Sequence, residues 1–450
     1  MRVDIPAEWP AVFELNVGES VDLAVRGELH RVILRSVVHI SEPDHWILDN
    51  PERRTYCAAQ VTVEIDGGEF VLLHRPYQMP AEIGPLRLYV ETTRPWATQA
   101  RIEVLDGMER DVRFSVRPAG AAWGPVSLRF PIRDYRWRSA SYNNTWSALV
   151  PYNLLYYHRG DDFGAIPDRL PVVALLDGVV TSSPVPNASG SNGVSVQTAS
   201  GLTYRYAHMN IETIDPALTP GVTVAAGQVL GRTGCTWNGY RSQWADPHLH
   251  VELALGPTTV SSYPFLVEAY LRDYPDPLLP VAGGNVFGQL GDELCLDGSR
   301  TIARAGTGIA RLRWRLHDGA WVEGAKICLR YDRPGQYAEE LVVTTSQGEE
   351  ARDFAHVRIY DPDAGRDFAY GWAYASPVRE VAPGTPVLFW NRLINTVGPV
   401  SIDFGDGSSP GVITDDAVYS YRAPGHYTVT LTGGDRCSQT AVAKLSLEVV

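Results

Sequence analysis

Short segments that alternate apolar and polar residues fill the first part of the chain. Val21–Val25, Val61–Ile65 and Leu86–Glu91 each show this period of two, and turns such as Asp66–Gly68 separate them. Successive side chains of a β-strand point to opposite faces, so the pattern predicts strands with one buried face. No convincing amphipathic helix pattern interrupts them. We therefore predict an N-terminal all-β domain over residues 1–130, folded as a β-sandwich.

The chain has 450 residues, more than one hydrophobic core usually serves, and its length suggests about three or four domains. One helix is predicted over Pro264–Arg272. It should end at Asp273–Pro277, because proline cannot continue a helix. A domain boundary is expected there. We predict further domains over residues 131–276, 281–360 and 377–450, and a fold class that is mainly β.

Four of the eleven histidines, together with one aspartate, fall on three strand-like segments: His158 with Asp162, then His208, then His248 with His250. The first pair lies four residues apart and the last pair two apart, so the members of each pair would share one face of a strand. Imidazole and carboxylate are ligands that zinc prefers, and a catalytic zinc site keeps three protein ligands. The pattern predicts a zinc site with two further histidines beside it.

This stretch also carries a recognisable series of short motifs. They are His158-Arg159-Gly160-Asp161-Asp162-Phe163, Pro171 to Val180, Tyr206-Ala207-His208, Val224 to Gly234, and Pro247-His248-Leu249-His250-Val251-Glu252. In content and order they resemble the lysostaphin/LytM-type zinc metallopeptidases, mostly peptidoglycan endopeptidases with a small antiparallel β core. The resemblance covers residues 153–255, about a quarter of the chain.

The resemblance implies a role for each of the five residues. His158, Asp162 and His250 would bind one zinc ion, while His208 and His248 would act on the attacking water and the scissile carbonyl. An imidazole with a pKa near 6.5 can take a proton and return it to the leaving amine. We favour His248 as this general base, with His208 orienting or stabilising the tetrahedral oxyanion. The reverse assignment stays open.

The segment Cys235–Asp246 is longer and more aromatic than the corresponding linker of the family. Trp237, Tyr240 and Trp244 are predicted to line the substrate groove. Tyr206 shares the parity of His208 and is named with them as a candidate groove residue, although a packed tyrosine is the preferred interpretation. The departure points away from the usual glycine-bridge substrate and towards another peptide or a glycan-bearing one.

The C-terminal part repeats a pattern of strand, Asp-Gly turn, strand and aromatic-x-x-Pro-Gly-x-Tyr, which ends in Tyr331–Tyr337 and again in Tyr421–Tyr427. The second copy contains Asp403–Gly407, which resembles the Asp-Phe-Gly-Asp-Gly turn of PKD domains, and the first keeps only His317–Gly319. The resemblance implies two immunoglobulin-like sandwiches. Such domains serve as rigid spacers or as modules for polysaccharide or protein adhesion.

Charge and hydropathy limit the partners. The formal net charge of −13 offers no basic stripe for phosphates, so nucleic acid is not an expected partner. No apolar run reaches the roughly 18 residues that a membrane-spanning helix needs. Met1–Pro6 shows no signal peptide. The family resemblance nevertheless implies an extracellular or periplasmic protein.

Five cysteines are spread along the chain without a CxxC pair. Cys295 and Cys328 fall in one predicted domain, where they could bridge or could both stay reduced and buried.

These observations together predict a zinc metalloendopeptidase that hydrolyses peptide bonds in peptidoglycan or in another extracellular peptide or protein. Two alternatives remain open at this point. One is a non-catalytic regulator or binding protein with the same fold. The other is a metal-dependent enzyme that cleaves polysaccharide.

Overall fold

The computed structural model describes residues 2–44, 54–99, 107–151, 155–185, 193–237, 240–241, 246–361, 363, 368–437 and 439–450. Strands account for most of the regular structure in these residues, which confirms the predicted fold class. Within the same residues, no helix is both long enough and apolar enough to cross a membrane.

The N-terminal sandwich is built from β1 (Arg2–Asp4), β2 (Ala11–Leu15), β3 (Ser20–Val25), β4 (Glu28–Pro43), β5 (Arg54–Ile65), β6 (Gly68–His74), β7 (Ala81–Ile83), β8 (Leu86–Thr93), helix α1 (Arg94–Gln99) and β9 (Val112–Pro118). One sheet has the order β1-β3-β4-β5-β6 and the other β2-β9-β8-β7. Leu23 and Val63 of the first sheet share one core with Phe114 of the second. The predicted sandwich is confirmed.

The central region contains β10 (Asn143–Asn144), β11 (Leu149–Pro151), β12 (Leu155–Tyr157), β13 (Asp161–Gly164), β14 (Pro171–Val173), β15 (Gly178–Ser182), β16 (Gly193–Gln197), β17 (Leu202–Ala207), a 3-10 turn (Ile211–Thr213), β18 (Thr223–Val224), β19 (Val229–Arg232), β20 (Thr236–Trp237), β21 (Tyr240–Arg241), β22 (His248–Leu255), β23 (Thr258–Val260) and helix α2 (Tyr263–Asp273). Its main sheet is antiparallel, with the order β10-β13-β22-β17-β16-β15-β18. Helix α2 confirms the predicted helix and packs Phe265 and Leu266 into the core.

The first C-terminal module comprises β24 (Leu278–Leu279), β25 (Val286–Gln289), β26 (Glu293–Asp297), β27 (Ile302–Ala303), β28 (Ile309–Arg315), β29 (Trp321–Glu323), β30 (Lys326–Arg330), β31 (Gly335–Thr345) and β32 (Glu350–Tyr360). The second comprises β33 (Tyr370–Ser376), β34 (Val387–Ile394), β35 (Val400–Asp403), β36 (Gly411–Ile413), β37 (Asp416–Tyr419), β38 (Gly425–Gly434) and β39 (Thr440–Val449). One sheet continues through both modules, because β31 pairs with β39.

The two modules share the details of the repeated motif. Tyr337 donates its hydroxyl hydrogen to the carbonyl of Arg333 over 2.8 Å, and Tyr427 donates to the carbonyl of Ala423 over the same distance. A disulfide joins Cys295 of β26 to Cys328 of β30. The limits of the individual domains stay predictions.

The C-terminal modules pack against the central region beside the main sheet. Trp372 of β33 meets the ring of Tyr142 edge-on, with the ring centroids 5.3 Å apart. Asp353 of β32 lies 3.5 Å from the buried guanidinium of Arg138. Both modules therefore contact the irregular segment that precedes β10.

Candidate metal centre

The strand order of the main sheet brings the predicted site residues together. Asp162 on β13 lies directly opposite His250 on β22, and His250 in turn lies opposite Ala207 on β17. Antiparallel neighbours have their Cβ atoms about 5 Å apart, so this register places one carboxylate beside one imidazole. His208 follows Ala207 immediately, which brings a second imidazole to the same end of the sheet.

His158 reaches this group from a bend and not from a strand. The prediction of one strand through His158 and Asp162 was wrong, because β12 ends at Tyr157 and β13 begins at Asp161. Gly160 between them has φ +126°, and a Cβ there would lie 2.5 Å from the carbonyl oxygen of Val251. Only glycine tolerates both this conformation and this close approach, so Gly160 allows the chain to turn His158 towards Asp162.

Three side chains present their ligand atoms to one another. His158 Nε2 lies 3.1 Å from Asp162 Oδ2 and 3.1 Å from His250 Nδ1, and His250 Nδ1 lies 2.8 Å from Asp162 Oδ1. One ligand atom from each residue falls within 4.8 Å of the other two, so the group could hold a metal ion. Two imidazoles and a carboxylate are a donor set that suits zinc.

In His158 and His250, the ring nitrogen that faces away from the other two side chains has its own hydrogen-bond partner. His158 Nδ1 lies 3.2 Å from the carbonyl oxygen of Thr145, and His250 Nε2 lies 3.0 Å from Glu252 Oε1. Because these partners only accept hydrogen bonds, each of these nitrogens carries the proton. His158 Nε2 and His250 Nδ1 are then left to act as ligands, which is the arrangement that surrounds metal-binding histidines.

His208 and His248 stand next to this group. Their rings lie 4.5 Å apart between centroids, and His248 Nε2 lies 3.4 Å from Asp162 Oδ1. His208 Nδ1 donates to the carbonyl of Thr236 over 2.7 Å, and His248 Nδ1 donates to the carbonyl of Asp246 over 2.6 Å. Each ring therefore keeps Nε2 unprotonated and able to accept a proton.

Burial and charge act in opposite directions on the histidines of the site. Burial lowers the pKa of His208 to about 3 and also lowers the pKa of His248. Burial opposes charge on His250 as well, but hydrogen bonds with Asp162 and Glu252 outweigh it and raise that pKa to about 9. A position between two carboxylates that favours a proton on His250 equally favours a metal cation.

Asp162 is held in its ionised form. Burial alone would raise the pKa of this carboxyl, but the charges of His158 and His248 and hydrogen bonds from His158 and His250 keep the pKa well below its ordinary value. Asp162 Oδ2 also accepts a hydrogen bond from the Tyr142 hydroxyl over 2.9 Å.

Of the four predicted groove residues, the structure describes the side chains of Tyr206 and Trp237. Tyr206 does not line a groove, since it is fully buried and its hydroxyl donates to the carbonyl of Val173 over 2.6 Å. The parity argument failed because β17 ends at Ala207 and His208 has φ +64°, which turns its side chain off the strand alternation. Trp237 is 49% exposed and stacks on His208, with centroids 5.6 Å apart.

The other two groove predictions are not described at the side-chain level. Tyr240 lies on β21, directly opposite Trp237, but only its backbone is described. Trp244 lies outside the described residues.

Sequence reasoning missed two contributors to the site. Tyr142, which holds Asp162, also packs its ring 5.0 Å from that of His248. Asp161 accepts hydrogen bonds from Thr145, over 2.7 Å, and from Ser262, and so anchors the strand that carries Asp162. Tyr142 lies in an irregular stretch before the first motif, and no local signal marks it. Asp161 faces away from Asp162, as strand parity predicts.

Two imidazoles and one carboxylate form a donor set of the kind found in metal-dependent hydrolases. Residues 156–261 match the model of peptidase family M23, and residues 355–444 match that of the PKD domain. The chain therefore contains a peptidase domain of family M23 and a PKD domain, as the sequence motifs predicted.

Several solved structures are similar to parts of the chain. One is the catalytic domain of the M23 protein EnpA from Enterococcus faecalis, at 26% identity over 27% of this chain and 88% of that chain, with a TM-score of 0.20. Another is the deep-sea M23 metalloprotease Pseudoalterin, at 22% identity over 32% and 76%, with a TM-score of 0.21. A third is Csd3 from Helicobacter pylori, at 14% identity over 56% and 74%, with a TM-score of 0.22.

Proposed function

We propose that this protein is a zinc-dependent endopeptidase that hydrolyses peptide bonds in peptidoglycan or in another extracellular peptide. The observation that carries the proposal is the convergence of His158 Nε2, Asp162 and His250 Nδ1 beside two further imidazoles. Zinc fits these residues, because each proposed ligand histidine directs its second nitrogen to a hydrogen-bond acceptor. His158, Asp162 and His250 would hold one zinc ion.

When bound, zinc polarises a carbonyl and increases the acidity of water. His248 is the proposed general base, since its Nε2 is unprotonated and the Asp246 carbonyl fixes the ring. The proton that it accepts would pass to the leaving amine. His208, fixed in the same way by the Thr236 carbonyl, presents an unprotonated Nε2 and would accept a hydrogen bond from the attacking water, which orients that water. The oxyanion role suggested by the sequence would need a proton on Nε2.

Substrate would approach along the exposed ring of Trp237. The disulfide between Cys295 and Cys328 supports an extracellular or periplasmic location, because such bonds persist in oxidising compartments. The PKD domain would hold the peptidase against a polymeric substrate or a cell surface.

The proposal is tested by comparing the zinc content and the hydrolytic activity of wild type and three variants. His248→Ala should keep one equivalent of zinc and lose at least about 100-fold in kcat/KM, the usual contribution of a general base. Asp162→Asn should lose zinc and activity together. His30→Ala serves as the matched control, since His30 lies on the N-terminal sandwich and pairs there with Asp66.

The products on purified peptidoglycan and on a panel of proteins decide between the alternatives. New amino groups without new reducing ends indicate peptide cleavage, and new reducing ends indicate polysaccharide cleavage. Stoichiometric zinc without any cleavage would refute the proposal and favour a non-catalytic regulator.

A further inference from the structure

A cleft of about 490 Å3 lies between the two C-terminal modules, apart from the metal centre. Ligand-binding clefts commonly have volumes of about 300–1,000 Å3. Its lining includes His317 and Gly319 of the first module and Gly405 and Gly407 of the second. The two Asp-Gly turns of the repeated motif therefore border one cleft.

The cleft follows from the way the two modules share a strand. On one edge of β31, Gly335 and Gln336 pair with β39, whereas Glu340 to Thr345 pair with β28. The other edge pairs with β32 from Gly335 to Thr344. Since β39 and β28 meet the same edge in succession, the two modules diverge there.

Side chains from two rows of paired residues line the cleft. Trp321, Arg315 and Glu340 lie directly opposite one another across β29, β28 and β31. Lys444, Thr430 and Asp403 lie opposite one another across β39, β38 and β35. Glu340 connects the modules, because it accepts a hydrogen bond from Thr428 over 3.0 Å.

The lining of the cleft carries more basic than acidic side chains, although the chain as a whole is acidic. The chain carries a formal net charge of −13, yet four basic side chains line the cleft against two acidic ones. The basic residues are Arg313, Arg315, Arg352 and Lys444, and the acidic ones are Glu340 and Asp403. A concave surface of this kind concentrates anions.

Two of these arginines are already paired with glutamates, Arg313 with Glu350 and Arg352 with Glu340 and Glu350. Among the described residues, the buried Arg313 Nε and Arg352 Nη1 atoms still have no hydrogen-bond partner. Burial lowers the pKa of Lys444, against the opposing effect of Glu340 and Glu339. Buried donors without partners are costly, so an anionic ligand that pairs with them gains affinity.

Trp321 supplies a flat apolar surface at the cleft. Its side chain is 48% exposed, and the guanidinium of Arg313 lies 4.2 Å from its ring centroid. An exposed indole beside fixed cations matches a sugar ring, which has an apolar C–H face and, when acidic, a carboxylate at its rim.

We propose that the cleft binds an acidic saccharide, a pyranose that carries a carboxylate. Trp321 packs against the sugar ring, and Arg315, Arg352 and Lys444 pair with the carboxylate. This site is independent of the metal centre and its proposed peptidase activity.

The test is calorimetric titration of the full-length protein with a tetrasaccharide of galacturonic acid, with neutral cellotetraose and with polyglutamate. The acidic tetrasaccharide should bind, while cellotetraose and polyglutamate should bind at least about tenfold more weakly. Trp321→Ala and Arg315→Gln should each weaken its binding about tenfold, as expected for an aromatic or arginine anchor. Circular dichroism checks that both variants are folded.

Lys326→Gln is the matched charge control, because Lys326 belongs to the first module and its side chain is 67% exposed outside the cleft. It should bind like wild type, and so should protein treated with EDTA. Raising the salt from about 0.1 M to about 1 M should weaken binding, since the Debye length falls from about 10 Å to about 3 Å.

Each contrary result overturns the proposal in a distinct way. Equal binding of cellotetraose means that the cleft does not select charge. Polyglutamate binding that Trp321→Ala leaves unchanged identifies an acidic peptide as the ligand. Loss of saccharide binding with EDTA assigns the ligand to the metal centre, and an absence of binding by the acidic tetrasaccharide refutes the site.

Discussion

Each histidine of the candidate metal centre uses its two ring nitrogens differently. In His158 and His250, one ring nitrogen is hydrogen-bonded to its own acceptor and the other is able to bind a metal ion. In His208 and His248, Nδ1 is hydrogen-bonded and Nε2 can accept a proton. The partners are mostly backbone carbonyls, which cannot change their protonation state. The tautomers, and with them the proposed roles, are therefore fixed by the fold.

A substitution at Tyr142 tests how much one hydroxyl group contributes to the candidate metal centre. Tyr142→Phe removes the hydrogen bond to Asp162 Oδ2 and leaves the ring packed against His248. We expect zinc affinity to fall about 10- to 100-fold, the usual effect of removing a group that orients a ligand. Competition with a chromophoric chelator measures this affinity.

Tyr204→Phe is the control for this measurement. Tyr204 is buried in the same sheet, but its hydroxyl donates to the carbonyl of Leu176, away from the site. Equal zinc affinities in the two variants would contradict the role assigned to the Tyr142 hydroxyl.

Strand elements explain which site residues could be predicted from sequence. His248 and His250 lie on β22 at a spacing of two, so alternation alone places them on one face. His158 and Asp162 lie close together, as their spacing predicted, but they do not share a strand. The bend at Gly160 brings them together. The parity that made Tyr206 a candidate groove residue does not hold, because the left-handed conformation of His208 lies outside any rule of alternation. Tyr142 comes from a loop, whose contacts no periodic pattern encodes.

The hairpin of β20 and β21 shields one catalytic candidate. The ring of Trp237 stacks on His208 with an angle of 9° between the planes, and burial lowers the pKa of that histidine to about 3. Trp237→Ala should hydrate His208 and move its pKa upwards, towards the ordinary value of about 6.5. A protonated His208 lacks its free Nε2, so activity at acidic pH should be lost earlier. The acidic limb of kcat/KM should shift to higher pH by about one unit or more.

Val179→Ala is the comparison for the hairpin variant, since Val179 is an exposed residue on β15 of the same sheet. Its pH profile should coincide with that of wild type. A Trp237→Ala profile that also coincides with wild type would show that the indole does not influence His208.

Across the whole molecule, one buried carboxyl joins the N-terminal sandwich to the peptidase domain. Glu91 on β8 accepts hydrogen bonds from Ser115 of the sandwich and, over 2.7 Å, from the backbone N–H of Ser261, just after β23. The carbonyl of Glu91 accepts a further bond from the indole of Trp146, over 2.6 Å. The repeat and the motifs predicted separate domains, but this contact depends on the three-dimensional packing of segments about 170 residues apart, which local patterns do not encode.

Glu91 predicts how the stability of this junction depends on pH. Burial raises the pKa of its carboxyl from 4.5 to about 7, despite the hydrogen bonds from Ser115 and Ser261. The folded protein therefore binds more protons than the unfolded chain between about pH 4.5 and pH 7, and stability falls as pH rises through this window. The difference corresponds to about 3 kcal/mol at neutral pH.

Glu91→Gln mimics the protonated carboxyl, so its amide should donate to Ser115 Oγ while its oxygen accepts from Ser261. Thermal unfolding between pH 5 and pH 8 should show a smaller decline for the variant than for wild type, with Glu82→Gln, an exposed glutamate of the same sandwich, as the control. Parallel curves for wild type and Glu91→Gln would mean that Glu91 does not titrate in this range.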